Sequence, residues 1–406
     1  MADLLYLVHR MPYPPNKGDK VRSYHLLKHL VSKHRVFLGT FIDDPSDEPY
    51  IDTLRAMCAG LHVARLDPRS AKLRSLRGLL RGEALTLGYY RDAGLSQWVT
   101  RTLRSNDIRT AVVFSSSMAQ YVEHLSDLRV LVDFVDVDSA KWTDYAKARR
   151  WPANWLYRRE GAMLLAYERA VAIAADRSFF VTDKEVELFN RLAPECAAHV
   201  QAMGNGVDTA FFATDAARIS PFDAGEIPIV FTGAMDYWPN VDAVIWFAQE
   251  VLPALRTQWP AVRFSVVGRN PSPEVRALAG DAVRVTGTVP DVRPWLQHAA
   301  VVVAPLRLAR GVQNKVLEAM AMSCPVVAAT RCAETINAQV GVHLLAASTQ
   351  ADYVREINAL VSDRERAARL GGAARSCVVA RYGWAAQLSS MDAHLTASAT
   401  PRPQLC

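Results

Sequence analysis

The sequence predicts an α/β protein built from two parallel-sheet domains in tandem. Three observations carry that prediction. Short runs rich in Val, Leu, Ile and Phe recur along the chain and alternate with helix-periodic segments, the pattern of βαβ units with right-handed crossovers. At 406 residues the chain is too long for one ordinary core. The alternation is interrupted once, by the turn-rich MGNGVDTAFF (203–212) and the polar ATDAARISPFDAGEIP (213–228), before a fresh apolar run starts at IVFTGAM. The expected division is a first domain over 1–210, a linker over 211–228, a second domain over 229–380, a last helix over 381–396 and a mobile tail from 397.

Taken in order, LLYLVHR (4–10) reads as a buried first strand that breaks at PYPPNKG, where three prolines and Gly18 cannot continue it. A helix is expected over 19–34, with Val21, Leu26, Leu27 and Leu30 on its apolar side and Asp19 as its cap. Gly18, just before that helix, permits close backbone approach to a phosphate or sugar. Strands follow at 36–42 and 61–67. In RSAKLRSLRGLLRG (69–82), Arg74, Arg77 and Arg81 form one helical stripe beside Leu73, Leu76 and Leu80, a basic and apolar face suited to anionic lipid. After TAVVFSSS (110–117), a strand is expected to run from 130 to 142, placing Asp133, Asp136 and Asp138 near its end, where ligands of open α/β sheets gather. Further strands are expected at 262–268, 283–289, 301–306 and 325–330, and helices over 351–394.

The stretch APLRLARGVQNKVLEAMAMSCPVVAAT (304–330) reads as strand, glycine loop, helix and strand. Its helix opens near Gln313, so its unpaired N–H groups and dipole face the carboxyl end of a parallel sheet and favour an anion. Lys315 falls in the first turn, and Glu318 lies three residues on, on the same face. A cation and a carboxylate at a helix mouth suit a nucleoside diphosphate, the cation for phosphate and the carboxylate for ribose hydroxyls. An ordinary surface pair at that spacing is the competing reading.

Composition narrows the partners. Half the residues are hydrophobic and 22% are charged, which excludes a disordered chain. No apolar run reaches the ~20 residues that span a bilayer. The start, MADLLYLVHR, lacks the basic segment and cleavage site of a signal peptide, so a cytoplasmic protein is expected. The six cysteines (58, 196, 324, 332, 377 and 406) are scattered without a C-x-x-C pair, which argues against zinc and against a disulfide framework. A net charge of +6 and a pI near 9.0 imply an anionic partner. Zinc-finger spacing, an RNP-like strand and a heptad-bearing basic helix are all missing, so nucleic acid is not expected. A nucleotide sugar or an anionic membrane surface fits the charge.

The 304–330 stretch resembles the nucleotide-sugar loop of GT-B glycosyltransferases of family 4, through LEAMA (317–321) and PVVA (325–328). It departs from them where Arg310 replaces the first glutamate of E-x7-E, and the Arg and Lys of many relatives are missing from GAMDYWPN. PYPPNKGDKVRSYHLLKHL resembles the N-terminal loop of the same family. DVDSAKW, REG with LL-x-YE (159–168), MGNGVD, FTGAMDYWPN and GVQNKVLEAMAM together resemble the sugar transferases that accompany exosortase (PEP-CTERM) exopolysaccharide systems.

This resemblance implies two Rossmann-like domains facing across a cleft, with the last helix crossing back to the first. It implies a retaining transferase moving a sugar from a nucleotide-sugar donor to a lipid-linked or oligosaccharide acceptor, with neither metal nor cofactor. Carried onto this chain, Gly18, Gly233, Gly268, Val289, Gly311, Val312, Gln313, Asn314, Lys315 and Glu318 bind the donor, and Asp136, Asp138, Lys141 and Trp142 face the acceptor. Arg310, Lys315 and Asp136 are the catalytic candidates. Two further classes stay open on this fold: a non-catalytic binding protein of a synthesis complex, and a nucleotide-sugar 2-epimerase. A soluble enzyme visiting the inner face of the cytoplasmic membrane is the expected setting.

Overall fold

The computed structural model describes residues 2–15, 18–147, 150–307 and 312–396. They fall into two compact units. The first runs to Asn205 and takes in the chain again from Gln387, and the second is Gly206–Ala386.

The first unit is organised on a parallel sheet of seven described strands: β1 (Asp3–Val8), β2 (Arg35–Ile42), β3 (Gly60–Arg65), β4 (Thr110–Phe114), β5 (Arg129–Val135), β6 (Arg177–Phe180) and β7 (Val200–Ala202), in the order β3-β2-β1-β4-β5-β6-β7. The direction of winding reverses between β1 and β4, which pair with Val8 opposite Phe114. Leu4 to Val8 are all buried, as a central strand covered on both faces requires. The helices that matter below are α1 (Gly18–Val31), α2 (Pro68–Ser75), α3 (Arg77–Arg81), α4 (Leu85–Tyr89), α5 (Asp138–Lys147) and α6 (Ala153–Ala174).

The second unit repeats the design with six described strands: β8 (Ile227–Thr232), β9 (Val262–Val267), β10 (Val283–Gly287), β11 (Val301–Ala304), β12 (Val326–Ala329) and β13 (Leu345–Ala347), in the order β10-β9-β8-β11-β12-β13. Its reversal lies between β8 and β11. The helices α7 (Trp238–Trp246) and α8 (Asn314–Ala321) follow β8 and β11 respectively, and α9 (Arg364–Tyr382) packs on α8. The segment expected to link the domains folds onto this unit: the Asp215 amide donates to Gln297 (3.0 Å), and the His298 ring bonds to the Arg218 carbonyl (2.8 Å). The last helix, α10 (Trp384–Thr396), is separated from α9 by Gly383, so it begins three residues later than expected. From Gln387 it belongs to the first unit, where Asp392 meets His29 (2.8 Å) and Lys33 (2.6 Å), and Arg129 donates to the His394 carbonyl (2.9 Å).

Three local expectations are corrected. The strand expected over 130–142 stops at Val135, whose φ of +68° is a costly conformation for a β-branched residue. Asp136 therefore lies past the strand and Asp138 opens α5, so of the three carboxylates only Asp133 is on the strand. The basic stripe is two short helices, α2 and α3, jointed at Leu76. Asp19 is not a cap: it lies within α1 and pairs with Arg10 (2.8 Å).

Several of the singled-out motifs turn out to hold the first unit together. Arg22 is fully buried and makes a two-pronged ion pair with buried Asp133 (2.8 and 3.1 Å). It also donates to the carbonyls of Met203 (2.7 Å) and Gly204 (3.1 Å) and to the Asn205 side chain (3.0 Å). One guanidinium therefore joins GDKVRS, the end of β5 and MGN. In REG, Arg159 donates to the carbonyls of Gly78 (2.8 Å) and Glu83 (3.1 Å), and Glu160 accepts from the amides of Leu85 (2.6 Å) and Thr86 (2.9 Å) at the start of α4. A Cβ on Gly161 would stand 2.6 Å from Thr143 Oγ1, so glycine lets α6 close on α5. Buried Glu168 accepts from Ser139 Oγ (2.5 Å) and from its amide (3.3 Å) at the mouth of α5, and burial pushes its carboxyl up to about 8.

Candidate active site

The second unit places its site candidates at the reversal point of its sheet, where ligands of open α/β sheets bind. β8 ends at Thr232 and Gly233 follows it with φ +155°; β9 ends at Val267 and Gly268 follows with φ +156°. A Cβ on Gly268 would lie 1.7 Å from the Gly233 carbonyl oxygen, so only glycine lets the two loops touch. A Cβ on Gly233 would meet Lys315 Nζ and Asn240 Nδ2, each at 2.8 Å. The turn after β8 is thus pressed against the first turn of α8.

Gln313 occupies the N-cap position of α8 in extended backbone, and Asn314 opens the helix. Val316, Leu317, Ala319 and Met320 are buried against the core, which fixes the opposite face toward the loops. Lys315 Nζ donates to Asn240 Oδ1 (2.5 Å) and sits 4.2 Å from the centre of the Phe231 ring. Among the described residues no carboxylate lies within ion-pairing distance of it. Burial lowers its amine from the usual 10.5 to about 8, with Glu318 acting in the opposite direction. Glu318 is half-buried, and its carboxyl is raised by burial, against the pull of Lys315. The i,i+3 surface pair that spacing allows has not formed. Instead, a partly desolvated cation and a partly desolvated carboxylate stand near one helix mouth without neutralising each other, a state that an anion and hydroxyl groups would relieve.

Asn240, which fixes the Lys315 ammonium, was missed as a site residue, although it closes the motif FTGAMDYWPN. It is itself anchored by donating to the Ala234 carbonyl (2.8 Å). Val289 lies in the loop after the edge strand β10, partly buried against the core. Val312 is exposed just ahead of α8. Arg310 and Gly311 lie outside the described residues. Arg307, the nearest described basic residue before them, pairs with Asp242.

In the first unit, Gly18 opens α1. Lys141 bridges Asp136 (2.7 Å) and Asp138 (3.0 Å), which raises its amine well above its ordinary value despite burial. Trp142 turns away from that cluster, packing on Tyr157 and Tyr145 and beside Ala84, Leu87 and Leu164. The four acceptor candidates therefore divide into an ionic trio and one packing residue. Among the described residues no group of three His, Cys, Asp or Glu is placed to hold a metal ion, and no helix is long and apolar enough to cross a membrane.

Residues 226–363 match the family model described as glycosyl transferases, group 1. The match lies within the second unit and supports the enzyme class expected from the sequence, and the matched span contains Gly233, Asn240, Gly268, Lys315 and Glu318. No curated protein matches the chain by sequence. Among solved structures, HepE of Anabaena, solved in complex with UDP, is 16% identical over 98% of this chain and all of its own, with a TM-score of 0.62. Sucrose-phosphate synthase of Thermosynechococcus elongatus is 15% identical over 97% of this chain and 98% of its own, at 0.61. A glycosyltransferase of Rickettsia africae is 12% identical over 98% of this chain and 99% of its own, at 0.61. These likenesses establish the fold, two parallel α/β sheets of GT-B type.

Proposed function

We propose that this protein transfers a sugar, with retention of configuration, from a nucleotide-sugar donor to a lipid-linked or growing glycan acceptor in exopolysaccharide synthesis. The observation that carries the donor half is the convergence of Gly233, Gly268, Asn240 and Lys315 on the mouth of α8. In this reading the amides at 311–314, with Lys315 and Arg310, receive the pyrophosphate, and Glu318 accepts the ribose hydroxyls. Asn240 holds the ammonium in place, and Phe231 supports it from below. The site then works by stabilising the departing diphosphate, the electrostatic effect that often dominates such reactions. Asp136, Asp138 and Lys141 serve the acceptor side. The resemblance to family 4 enzymes of exosortase systems supports the acceptor class, and the complexes of HepE with UDP, and with UDP-glucose, make UDP sugars the first donors to try.

The test of the donor half is a thermal-shift series with a panel of nucleotide sugars, since a ligand that binds only the native state raises its melting temperature. Glu318→Ala is expected to weaken the best binder by about 1.5–3 kcal/mol through loss of charge-assisted hydrogen bonds. Unchanged affinity in that variant would remove Glu318 from the site.

Support for a membrane setting of the acceptor comes from the first unit. Leu73, Leu76 and Leu80 are 71%, 46% and 92% exposed, and Arg74, Arg77 and Arg81 line one cleft together with Glu83 and Arg91. Trp155, one turn before Arg159 on α6, is exposed as well, and Arg159 ties that helix to α3 through the Gly78 carbonyl. Exposed leucines and a tryptophan among arginines suit the headgroup layer of an anionic membrane. Each basic residue near such a surface contributes ~1 kcal/mol, screened by salt. Wild type should sediment with anionic vesicles at low salt, and replacing all three arginines with Glu should release it without changing donor affinity. Failure of the wild type to bind would leave the arginines as a solvated face.

A further inference from the structure

His9 follows β1 at the point where the sheet of the first unit reverses direction, and among the described residues no hydrogen bond explains it. Its Nδ1 is buried without a partner, and its Nε2 is 3.8 Å from Asp19, beyond hydrogen-bonding range. The ring is clamped by aromatic neighbours: Phe114, the last residue of β4, lies parallel to it at 5.8 Å, and Tyr90 meets it edge-on at 5.6 Å. Its side chain is 17% exposed, and Nδ1 is not part of what reaches solvent. The residue that continues the β1–β4 register beside it, Ser115, holds φ +77°, a strained conformation for a serine. A rigidly held imidazole with unspent hydrogen-bonding capacity at a reversal point is a cost to the fold unless a ligand uses it.

We propose that the carboxyl ends of β1 and β4 form a site for a neutral sugar, with His9 as the side chain that contacts one of its hydroxyls. The sugar class rests on the glycosyltransferase reading, but the charge around His9 points the same way. The groups that act on it are Asp19 of α1, Asp43 beyond β2, Asp138 of α5 and its own neighbour Arg10. Arg10 is shared between Asp19 and Asp43 (2.8 and 2.9 Å), and Lys141 is held by Asp138 and Asp136. Carboxylates outnumber cations there, which repels a phosphate and leaves oxygen acceptors for hydroxyl donors. Tyr89 and Tyr90, packed 4.9 Å apart, add the aromatic surface that sugars favour. Burial, partly opposed by Asp19, keeps the imidazole neutral near pH 7, so it can donate from one nitrogen and accept at the other.

The test is calorimetric titration of the full chain with octyl glucoside, octyl galactoside and octyl mannoside below their micelle concentrations. At least one should bind saturably to wild type, and affinity should fall tenfold or more in His9→Phe, which keeps the aromatic stack and removes both nitrogens. Wild-type affinity should also drop as the pH falls through the lowered His9 titration, and that dependence should vanish in the variant. Saturable binding of equal strength in the two proteins, no binding of any glycoside by wild type, or loss of the native melting transition in His9→Phe would each overturn the proposal. UDP binding, followed in parallel, belongs to the other unit: its absence would sink the glycosyltransferase reading, and its presence alone would leave His9 to the glycoside result.

Discussion

Lys315→Met should lower kcat about 10²–10³-fold while moving KM for the donor far less. The ammonium is positioned before any ligand arrives, 2.5 Å from Asn240 Oδ1 and over the Phe231 ring, so it contributes most where charge grows on the leaving diphosphate. Burial has already taken the amine down to about 8. The wild-type kcat/KM for the donor should therefore fall as the pH rises past 8 and the free enzyme loses the charge, and the residual activity of Lys315→Met should lack that limb. Stability should move the opposite way. A lysine whose amine titrates lower in the fold than in the unfolded chain costs stability when protonated, and that cost fades as pH rises from about 8 toward 10.5. At pH 7 the methionine variant should unfold at a higher temperature than wild type. A variant with near wild-type kcat would show that Lys315 does not meet the diphosphate.

The largest stability effect is expected from Arg22→Met. It would leave Asp133 buried and unpaired and would strip donors from the carbonyls of Met203 and Gly204. Breaking a buried ion pair in this way costs about 3–5 kcal/mol. For a unit of this size that is a drop of roughly 6–20 °C in the melting transition. The double variant Arg22→Met with Asp133→Leu should recover much of the loss, because no charge remains buried. Asp133 also accepts from the Val135 amide (3.2 Å) and so steadies the left-handed turn that precedes Asp136. A melting temperature within a degree or two of wild type in Arg22→Met would mean that water, and not the Asp133 pair, satisfies the site.

Much of this architecture is legible in the sequence because it is local. Buried parallel strands are continuous apolar runs, and β1, β8, β11 and β12 stand where LLYLV, IPIVFT, VVVA and VVAA lie. The mouth of α8 was legible through its strand, loop and helix order, whereas Gly233 and Gly268 were singled out by the resemblance to the family's motifs. Misreadings arose where pattern and conformation part company. DFVDVD alternates like a strand, yet the alternation cannot reveal that Val135 turns left-handed and that Asp138 starts a helix. LRSLRGLLR has helical spacing throughout, yet the chain breaks at Leu76. Partnerships across long separations were out of reach. Arg22 and Asp133 are 111 residues apart, and Lys315 and Asn240 are 75 apart. No spacing rule joins them, and only the folded sheet brings His9 beside Phe114.

The central claim is that a nucleotide sugar is held at the mouth of α8. A crystal structure with the nucleoside diphosphate selected by thermal shift, UDP being the first choice, tests it most directly. The expected complex has the terminal phosphate within hydrogen-bonding distance of Lys315 Nζ, in front of the Gly233 turn, and the ribose hydroxyls on Glu318. A nucleotide bound elsewhere, or one at this place whose ribose avoids Glu318 and whose phosphates avoid Lys315, would contradict it.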